Sequence, residues 1–322
     1  MTPHLKIYII IVTHNGAKWI SDCLFSVMAN KHFASEIVVV DNASWDKTVK
    51  LVESNFPDVN IFRQKRNVGY GRGANIGMKY ALSRGADYIF LLNQDIKLGE
   101  HCIRNMIEVC EKNRLIGIAS PLQLNYNGSA IDPKFRELYS LQSEDPHMNN
   151  ELFKDSFAVD TIIGASMLFR ASVIESIGMF DPIYFLYHEE GDLCRRARFH
   201  GFEIHVIPKA TVLHKHLQLF PQNMSIQAKF AATYGYYFYI LKNPFSPLSR
   251  NIGKALKQMG QWVWRDRILP KIVKRFLVAG AATCMIMIYL YRIVKNRRSD
   301  IALKATAEGM KSIEKIAGNK TF

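Results

Sequence analysis

Residues 87–95 read DYIFLLNQD. From Tyr88 to Leu92 the run is apolar without alternation, so a strand here has to be covered on both faces, as parallel strands between helix layers are. It breaks off at Asn93, Gln94 and Asp95, which points a carboxylate out of the end of a buried strand. Upstream lies NVGYGRGANIG (67–77), a Gly-rich turn feeding a helix through Ala81. Before that come a short strand at Asn60–Phe62, a strand EIVVV (36–40) closed by Asp41 and Asn42, and a first strand over Leu5–Val12. A helical stripe of Ile20, Leu24 and Val27 fills Gly16–Met28, and Ser44 or Asp46 can cap a helix running through Leu51. Strands separated by helices of this length imply right-handed crossovers and a mainly parallel sheet, an α/β fold whose ligands bind at the carboxyl ends of the strands.

Downstream the pattern weakens. Residues 125–156 are polar, with prolines at 133 and 146 and no clear period, and read as a long loop or lid with little fixed structure of its own. Regularity returns at Phe157–Arg170, with helices near Ala171–Ile177 and from Glu189 to His200. From Ser225 the chain reads as helical segments interrupted at NPFSP (243–247) and at Pro270. Two regions follow: a body over 1–222 and a helical region over 223–322.

Charge divides the chain in nearly the same place. Of 322 residues, 48% are hydrophobic, enough for a sizeable core, and the net charge is +14. Residues 1–241 hold 25 Lys+Arg against 24 Asp+Glu, whereas 242–322 hold 17 against 4. A nearly neutral body therefore carries a basic tail region. Five cysteines with no CxxC argue against a disulfide framework or structural zinc and fit a reducing compartment. The N-terminal apolar run is too short, and too abruptly followed by polar residues, for a signal peptide, so a cytoplasmic protein is expected. Residues 276–291, FLVAGAATCMIMIYLY, carry no charge but fall short of the roughly 18–20 residues of a spanning helix.

Each polar site has a functional and a structural reading. Asp41 can accept donors from a base or ribose, or it can form a turn or cap a helix. The glycines at 69, 71, 73 and 77 let a backbone approach phosphate, but a dinucleotide fingerprint belongs directly after the first strand, so a tight helix-to-sheet contact is at least as good a reading. Asp95 can anchor Mg²⁺ or Mn²⁺ with help from a diphosphate, or cap the helix that follows. In YHEEGDLCRRARFHG (187–201), Glu189, Glu190 and Asp192 crowd the first turn of a helix. The macrodipole accounts for part of this, but mutual repulsion also raises carboxylate pKa values toward those of a general base. His214 ends an apolar run as a metal ligand or a structural histidine.

In this order, VTHNGAKWISDCLFSV, VVVDNAS, NVGYGRGANIGM, LLNQD, GASMLFRASVIESIGMFD, YHEEGDLCRRARFHG and VLH resemble the family 2 inverting glycosyltransferases, specifically their bacterial rhamnosyltransferase-like branch. The likeness spans about residues 7–214. It implies a Rossmann-like nucleotide-sugar fold of type A and an enzyme of hexosyltransferase type. The donor would be a nucleoside diphosphate sugar, dTDP-rhamnose or a UDP-sugar, and the acceptor a saccharide or lipid-linked saccharide of surface polysaccharide synthesis. On that pattern Thr13, Asn15 and Asp41 contact the nucleotide, Gly69 and Asn75 border it, and Asn93 stands first in the metal-binding DxD motif. Asp95 and His214 would hold Mg²⁺ or Mn²⁺, Glu190 would be the catalytic base, and Glu189 and Asp192 would face the acceptor. Two departures stand out: Asn93 replaces the first aspartate of DxD, and Glu190 is a methylene longer than the usual base. They support a rival reading, a catalytically silent sugar-nucleotide-binding scaffold. A pyrophosphorylase would want a basic Gly-rich loop near the N-terminus, which is missing.

The resemblance also gives the basic region a use, since lipid-diphosphate acceptors lie at the inner face of an anionic membrane. A peripheral attachment there is expected, against the plainer alternative of a solvated helix pair. Nucleic acid is not an expected partner, because the basic residues alternate with long aliphatic runs.

Overall fold

The computed structural model describes residues 5–30, 36–141, 150–215, 226–264 and 269–318. Its chain forms two units, Met1–Phe185 with Glu189–Gln222, and Leu186–His188 with Asn223–Phe322. The first unit contains β1 (Ile7–Thr13), α1 (Ile20–Ala29), β2 (Glu36–Asp41), α2 (Thr48–Asn55), β3 (Asn60–Arg63), α3 (Tyr70–Ser83) and β4 (Tyr88–Asn93). These are followed by β5 (Ile96–Leu98), α4 (Cys102–Lys112), β6 (Ile116–Asn125), α5 (Pro133–Leu138), β7 (Phe157–Ala158), β8 (Ser166–Arg170), α6 (Ala171–Ile177), α7 (Glu189–Phe199) and β9 (Glu203–His214).

One sheet runs β3-β2-β1-β4-β8-β6-β9-β5, with β7 added to β9. The strands β3, β2, β1 and β4 are parallel, β8 is antiparallel to both β4 and β6, and β9 lies parallel to β6. Most strands therefore point the same way. Their two-residue period sorts side chains into two layers. Ile7, Ile9 and Ile11 of β1 join a core with Leu24 of α1, Val52 of α2 and Met106 of α4. Tyr8, Ile10 and Val12 join the opposite core, with Met78 of α3, Val173 of α6 and Leu193 of α7. Helices thus cover both faces, as the unalternating apolar strands require.

Inside α3 the Gly-rich run resolves as helix-to-sheet packing. A Cβ on Gly77 would stand 2.5 Å from Cγ2 of Ile10 in β1, so only a bare backbone fits there. Gly69, at φ +88°, precedes the helix in a conformation that side chains rarely adopt.

The stretch expected to hold little structure of its own is more ordered than its composition suggests. Asp132 accepts hydrogen bonds from the backbone N–H of Lys134 (2.9 Å) and Phe135 (3.0 Å), with Pro133 in the first turn of α5. Phe135 is buried with Leu122, Ile131 and Val206. An Asp-Pro pair that reads as a break in the sequence is therefore a helix start. A 3₁₀ turn follows at Asn150–Phe153, and residues 142–149 lie outside the described residues.

In the second unit, α8 (Ile226–Leu241), α9 (Leu248–Val263) and α10 (Leu269–Gly318) follow one another. The NPFSP link between α8 and α9 is held by Asn251, which donates to the Asn243 carbonyl (2.9 Å), and by Arg297, which donates to the carbonyls of Asn243 and Ser246. Pro270 sits at the start of α10, where its missing N–H costs nothing. Among the described residues, no helix is long and apolar enough to cross a membrane.

Candidate active site

Sheet register aligns the polar strand ends. Thr13 of β1 pairs with Asp41 of β2, and Asn93 of β4 pairs with Val12 one residue earlier in β1. Just beyond, β5 turns back and pairs with the end of β9, so that Ile96 faces His214. This places Thr13, Asp41, Asn93, Asp95 and His214 along one carboxyl edge.

Gln94 fastens that edge. Its Oε1 accepts from the Thr13 hydroxyl (2.5 Å) and the His14 N–H (2.9 Å), and its Nε2 donates to the His14 carbonyl (3.3 Å). Both hydrogen-bonding ends of one side chain therefore fix the loop after β1. In that loop Asn15 has φ 51°, donates its N–H to Ser44 (2.8 Å) and accepts from the N–H of Trp45 (3.0 Å). Asp41 is buried and accepts from the N–H of Ser44 at 3.2 and 3.3 Å, so its turn-forming reading is realised. Asn42 ties the end of β2 to the Gly-rich loop by bonds to Asn67, Val68 and Gly69.

Asp95 and His214 come together, with 3.9 Å between a carboxylate oxygen and Nε2. Burial pushes the Asp95 carboxyl up to about 6. A divalent cation would offset that burial cost, and one oxygen and one imidazole nitrogen leave its other positions to diphosphate and water. The donor set therefore fits a metal that completes its shell from substrate. Among the described residues no group of three or more His, Cys, Asp or Glu is assembled for a metal.

Glu189 and Glu190 open α7, the first buried and the second half-buried. Each keeps one carboxylate oxygen, Oε2, enclosed without a hydrogen-bond partner. Burial and the charge of Glu190 hold Glu189 well above the usual carboxylate range, and burial raises Glu190 as well. Tyr70 feels the charges of both carboxylate groups. Its hydroxyl donates to the Gly164 carbonyl (3.0 Å), and burial together with the charges of Glu189, Glu190 and Asp95 raises its pKa. The Glu190 side chain packs beside Gly164, where an added Cβ would stand 3.5 Å away. The two residues before α7, Tyr187 and His188, are both left-handed (φ 67° and 69°), a strained backbone often found at functional sites.

Two expected site residues have partners within the fold. Asn75 donates to the Phe180 carbonyl (2.8 Å) and accepts from the Phe180 N–H (3.1 Å), so its amide clamps α3 to the segment after α6. Asp192 is 1% exposed and accepts from Tyr184 (3.2 Å), Arg195 (3.1 Å) and Arg196 (3.1 Å). Its carboxylate is the hub of a buried ion-pair network. The i,i+3 and i,i+4 spacing of Asp192 to Arg195 and Arg196 could have announced this. Gln94 and Tyr70, in contrast, lay inside quoted motifs and carried no signal of their own.

Comparison with known proteins places this chain in a family. The Glycosyl transferase family 2 profile matches residues 8–178, more than half of the chain. A dTDP-rhamnosyl transferase RfbF of Shigella flexneri is 25% identical over 209 residues, 65% of this chain and 69% of that one. An N-acetylglucosaminyl-diphospho-decaprenol L-rhamnosyltransferase of Mycobacterium tuberculosis is 24% identical over 230 residues, 64% of this chain and 75% of its own. In fold, the chain is similar to a mannosyltransferase of Pyrobaculum calidifontis solved with GDP-Man and Mn2+, with TM-score 0.53 and 14% identity over 95% of this chain and 87% of that one. The chain belongs to glycosyl transferase family 2 and is a glycosyltransferase.

Proposed function

We propose that the protein transfers a sugar, with inversion, from a nucleoside diphosphate sugar to a saccharide or lipid-linked saccharide acceptor in surface polysaccharide synthesis. The observation that carries this reading is the pair of adjacent glutamates with enclosed, unpartnered oxygens, in the same fold unit as the Asp95–His214 pair. A carboxylate with a raised pKa and a free oxygen suits a general base that awaits an acceptor hydroxyl. Glu190 takes the proton of that hydroxyl as it attacks the anomeric carbon, so no covalent enzyme intermediate is needed. Asn15, Gly69 and the strand ends at Thr13, Asp41 and Asn93 line the nucleotide side, and Glu189 faces the acceptor. A divalent ion, Mg²⁺ or Mn²⁺, held by Asp95 and His214 would neutralise charge growing on the nucleoside diphosphate. The names of the Shigella and Mycobacterium relatives favour a deoxyhexose donor, dTDP-rhamnose before UDP-sugars, and a lipid-diphosphate acceptor.

The basic second unit attaches the enzyme peripherally to the anionic inner face of the membrane where such acceptors lie. It supplies 17 of the 42 basic residues in its 242–322 stretch and presents exposed apolar side chains on α9 and α10.

The test is a panel of nucleoside diphosphate sugars with and without Mn²⁺, followed by thermal shift and by transfer to a lipid-linked acceptor. Glu190→Gln is expected to retain donor binding while kcat falls by about 10²–10⁴-fold, the range of general-base catalysis. Asp95→Asn is expected to lose the metal-dependent part of the shift. Donor binding without transfer by the wild-type chain would establish the silent-scaffold alternative that Asn93 favours. Normal transfer by Glu190→Gln would move the base to Glu189.

A further inference from the structure

Beside the metal pair lies a group of cations that the transfer reaction as described leaves unused. Lys215 directly follows His214, and its N–H donates to the Asp95 carbonyl (3.1 Å). Its ammonium stands 5.1 Å from the ring centroid of Trp19 and 4.8 Å from that of Tyr126. Lys18 stands 4.7 Å from the same Trp19 ring, and Lys97 stands 4.7 Å from the same Tyr126 ring. The two rings meet edge to face at 6.0 Å. Three ammonium groups are thus gathered on one pair of rings, Trp19 at the start of α1 and Tyr126 just after β6, with Lys97 coming from β5 and Lys215 from the end of β9.

Their charge is not balanced. Asp22 pairs with Lys97 (2.7 Å) and accepts from the Tyr126 hydroxyl (2.9 Å). Among the described residues, Lys18 and Lys215 have no carboxylate within ion-pair distance. Aromatic faces attract ammonium groups without neutralising them, so the rings collect like charges that would otherwise spread apart and leave them ready for an anion. A merely solvating role for these lysines would not need three of them on two rings.

We propose that Lys18, Lys97 and Lys215, seated on Trp19 and Tyr126, form a diphosphate-binding subsite that adjoins Asp95 and His214. The proposal rests on the transferase reading and deepens it. Two diphosphates are present in such a reaction, that of the donor and that of a lipid-linked acceptor. The subsite binds the chemistry they share, terminal and bridging phosphate oxygens, through point charges rather than through the metal. Three lysines within reach of one anion also predict strong screening by salt.

The test uses the full chain and inorganic pyrophosphate in the presence of a chelator, so that no metal contributes. Calorimetry at low salt is expected to detect binding that weakens steeply between 20 and about 200 mM salt, over which the Debye length shrinks toward 8 Å. Lys18→Met with Lys215→Met keeps the aliphatic stems on the rings and should raise the Kd for pyrophosphate at least tenfold. Lys209→Met, at an exposed lysine of β9 paired with Asp155, should leave it unchanged. Thermal melts check that each variant is folded. Failure of the wild type to bind pyrophosphate, or equal binding by the double variant, overturns the subsite. In transfer assays, a rise in the donor's KM alone assigns the subsite to the donor's diphosphate, and a rise in the acceptor's KM alone assigns it to the acceptor's. Pyrophosphate binding that depends on these lysines in a chain that transfers no sugar would overturn the transferase reading while leaving the anion subsite standing. Transfer with unaltered KM values and unaltered pyrophosphate binding in the double variant would do the reverse.

Discussion

Glu189 and Glu190 are adjacent carboxyls whose pKa values are raised, Glu189 by burial and the charge of Glu190, Glu190 by burial. A base must be ionised to act, so the rate of transfer is expected to climb as pH rises through the raised pKa of the pair. Burial is what raises Glu190, and Glu189, the more strongly raised of the two, is still neutral where Glu190 ionises. Glu189→Gln should therefore leave the acid limb in place, which a pH series of kcat reads directly, while a limb moved to lower pH would show that the Glu189 charge also holds Glu190 up. Stability should respond with a definite sign. A carboxyl whose native pKa lies above its unfolded value of about 4.3 stabilises the fold fully below that value and loses the contribution as pH rises through the native pKa. Glu189→Gln should therefore raise Tm at pH 8 relative to wild type and change it little at pH 4. At this scale the sequence was partly legible. Three acids in four residues marked the site, but which of them is free depended on partners that only the folded chain brings in. Asp192 is claimed by Tyr184 and two arginines, whereas Glu189 and Glu190 each keep an unpartnered oxygen.

At the scale of elements, α3 is defined by how closely it approaches β1. Gly77→Ala would push a methyl to 2.5 Å from the Ile10 side chain in a core with no slack. Overpacking of this kind costs about 1–3 kcal/mol, against a gain of up to about 1 kcal/mol from the better helix propensity of alanine. The expected net effect is a loss of about 1–2 kcal/mol, read as a lower urea midpoint at unchanged m-value. A midpoint at or above wild type would mean that Ile10 yields and that the close approach is not needed. The strands and helices around α3 were legible because their periods differ: unbroken apolar runs for β1, β2 and β4, three-and-four spacing for α1. Two features were not. The antiparallel insertion of β8 between β4 and β6 depends on pairing between segments more than 40 residues apart, which no local pattern encodes. The short helix α5 spans six residues, too few to show a period.

At the scale of the whole molecule, the basic excess and most of the large exposed apolar side chains fall in the same unit. On α9, Ile252 and Leu256, and Trp264 just past its end, stand at spacings of four and eight and are 41%, 64% and 60% exposed, with exposed Arg250, Lys254 and Lys257 on the adjoining stripe. On α10, exposed Leu277, Cys284, Ile288 and Tyr291 follow spacings of three, four and seven, and the same stripe continues into exposed Lys295 and Arg298. An apolar stripe flanked by bases on a helix that cannot span is the pattern of one lying in the membrane interface. Two forces then contribute to binding and can be separated. Each basic residue near an anionic surface contributes about 1 kcal/mol and is screened by salt, whereas each buried leucine or isoleucine contributes about 1.5–3 kcal/mol and is not. Leu256→Glu with Ile288→Glu removes two apolar contacts and adds two repelled charges. At about 1.4 kcal/mol per tenfold, partitioning onto anionic liposomes should fall by more than tenfold even in high salt. Wild-type protein should be weakened by salt yet keep a bound fraction. Cosedimentation with anionic and neutral vesicles at low and high salt measures both terms, and equal binding by wild type and the double variant would remove the membrane from the protein's function.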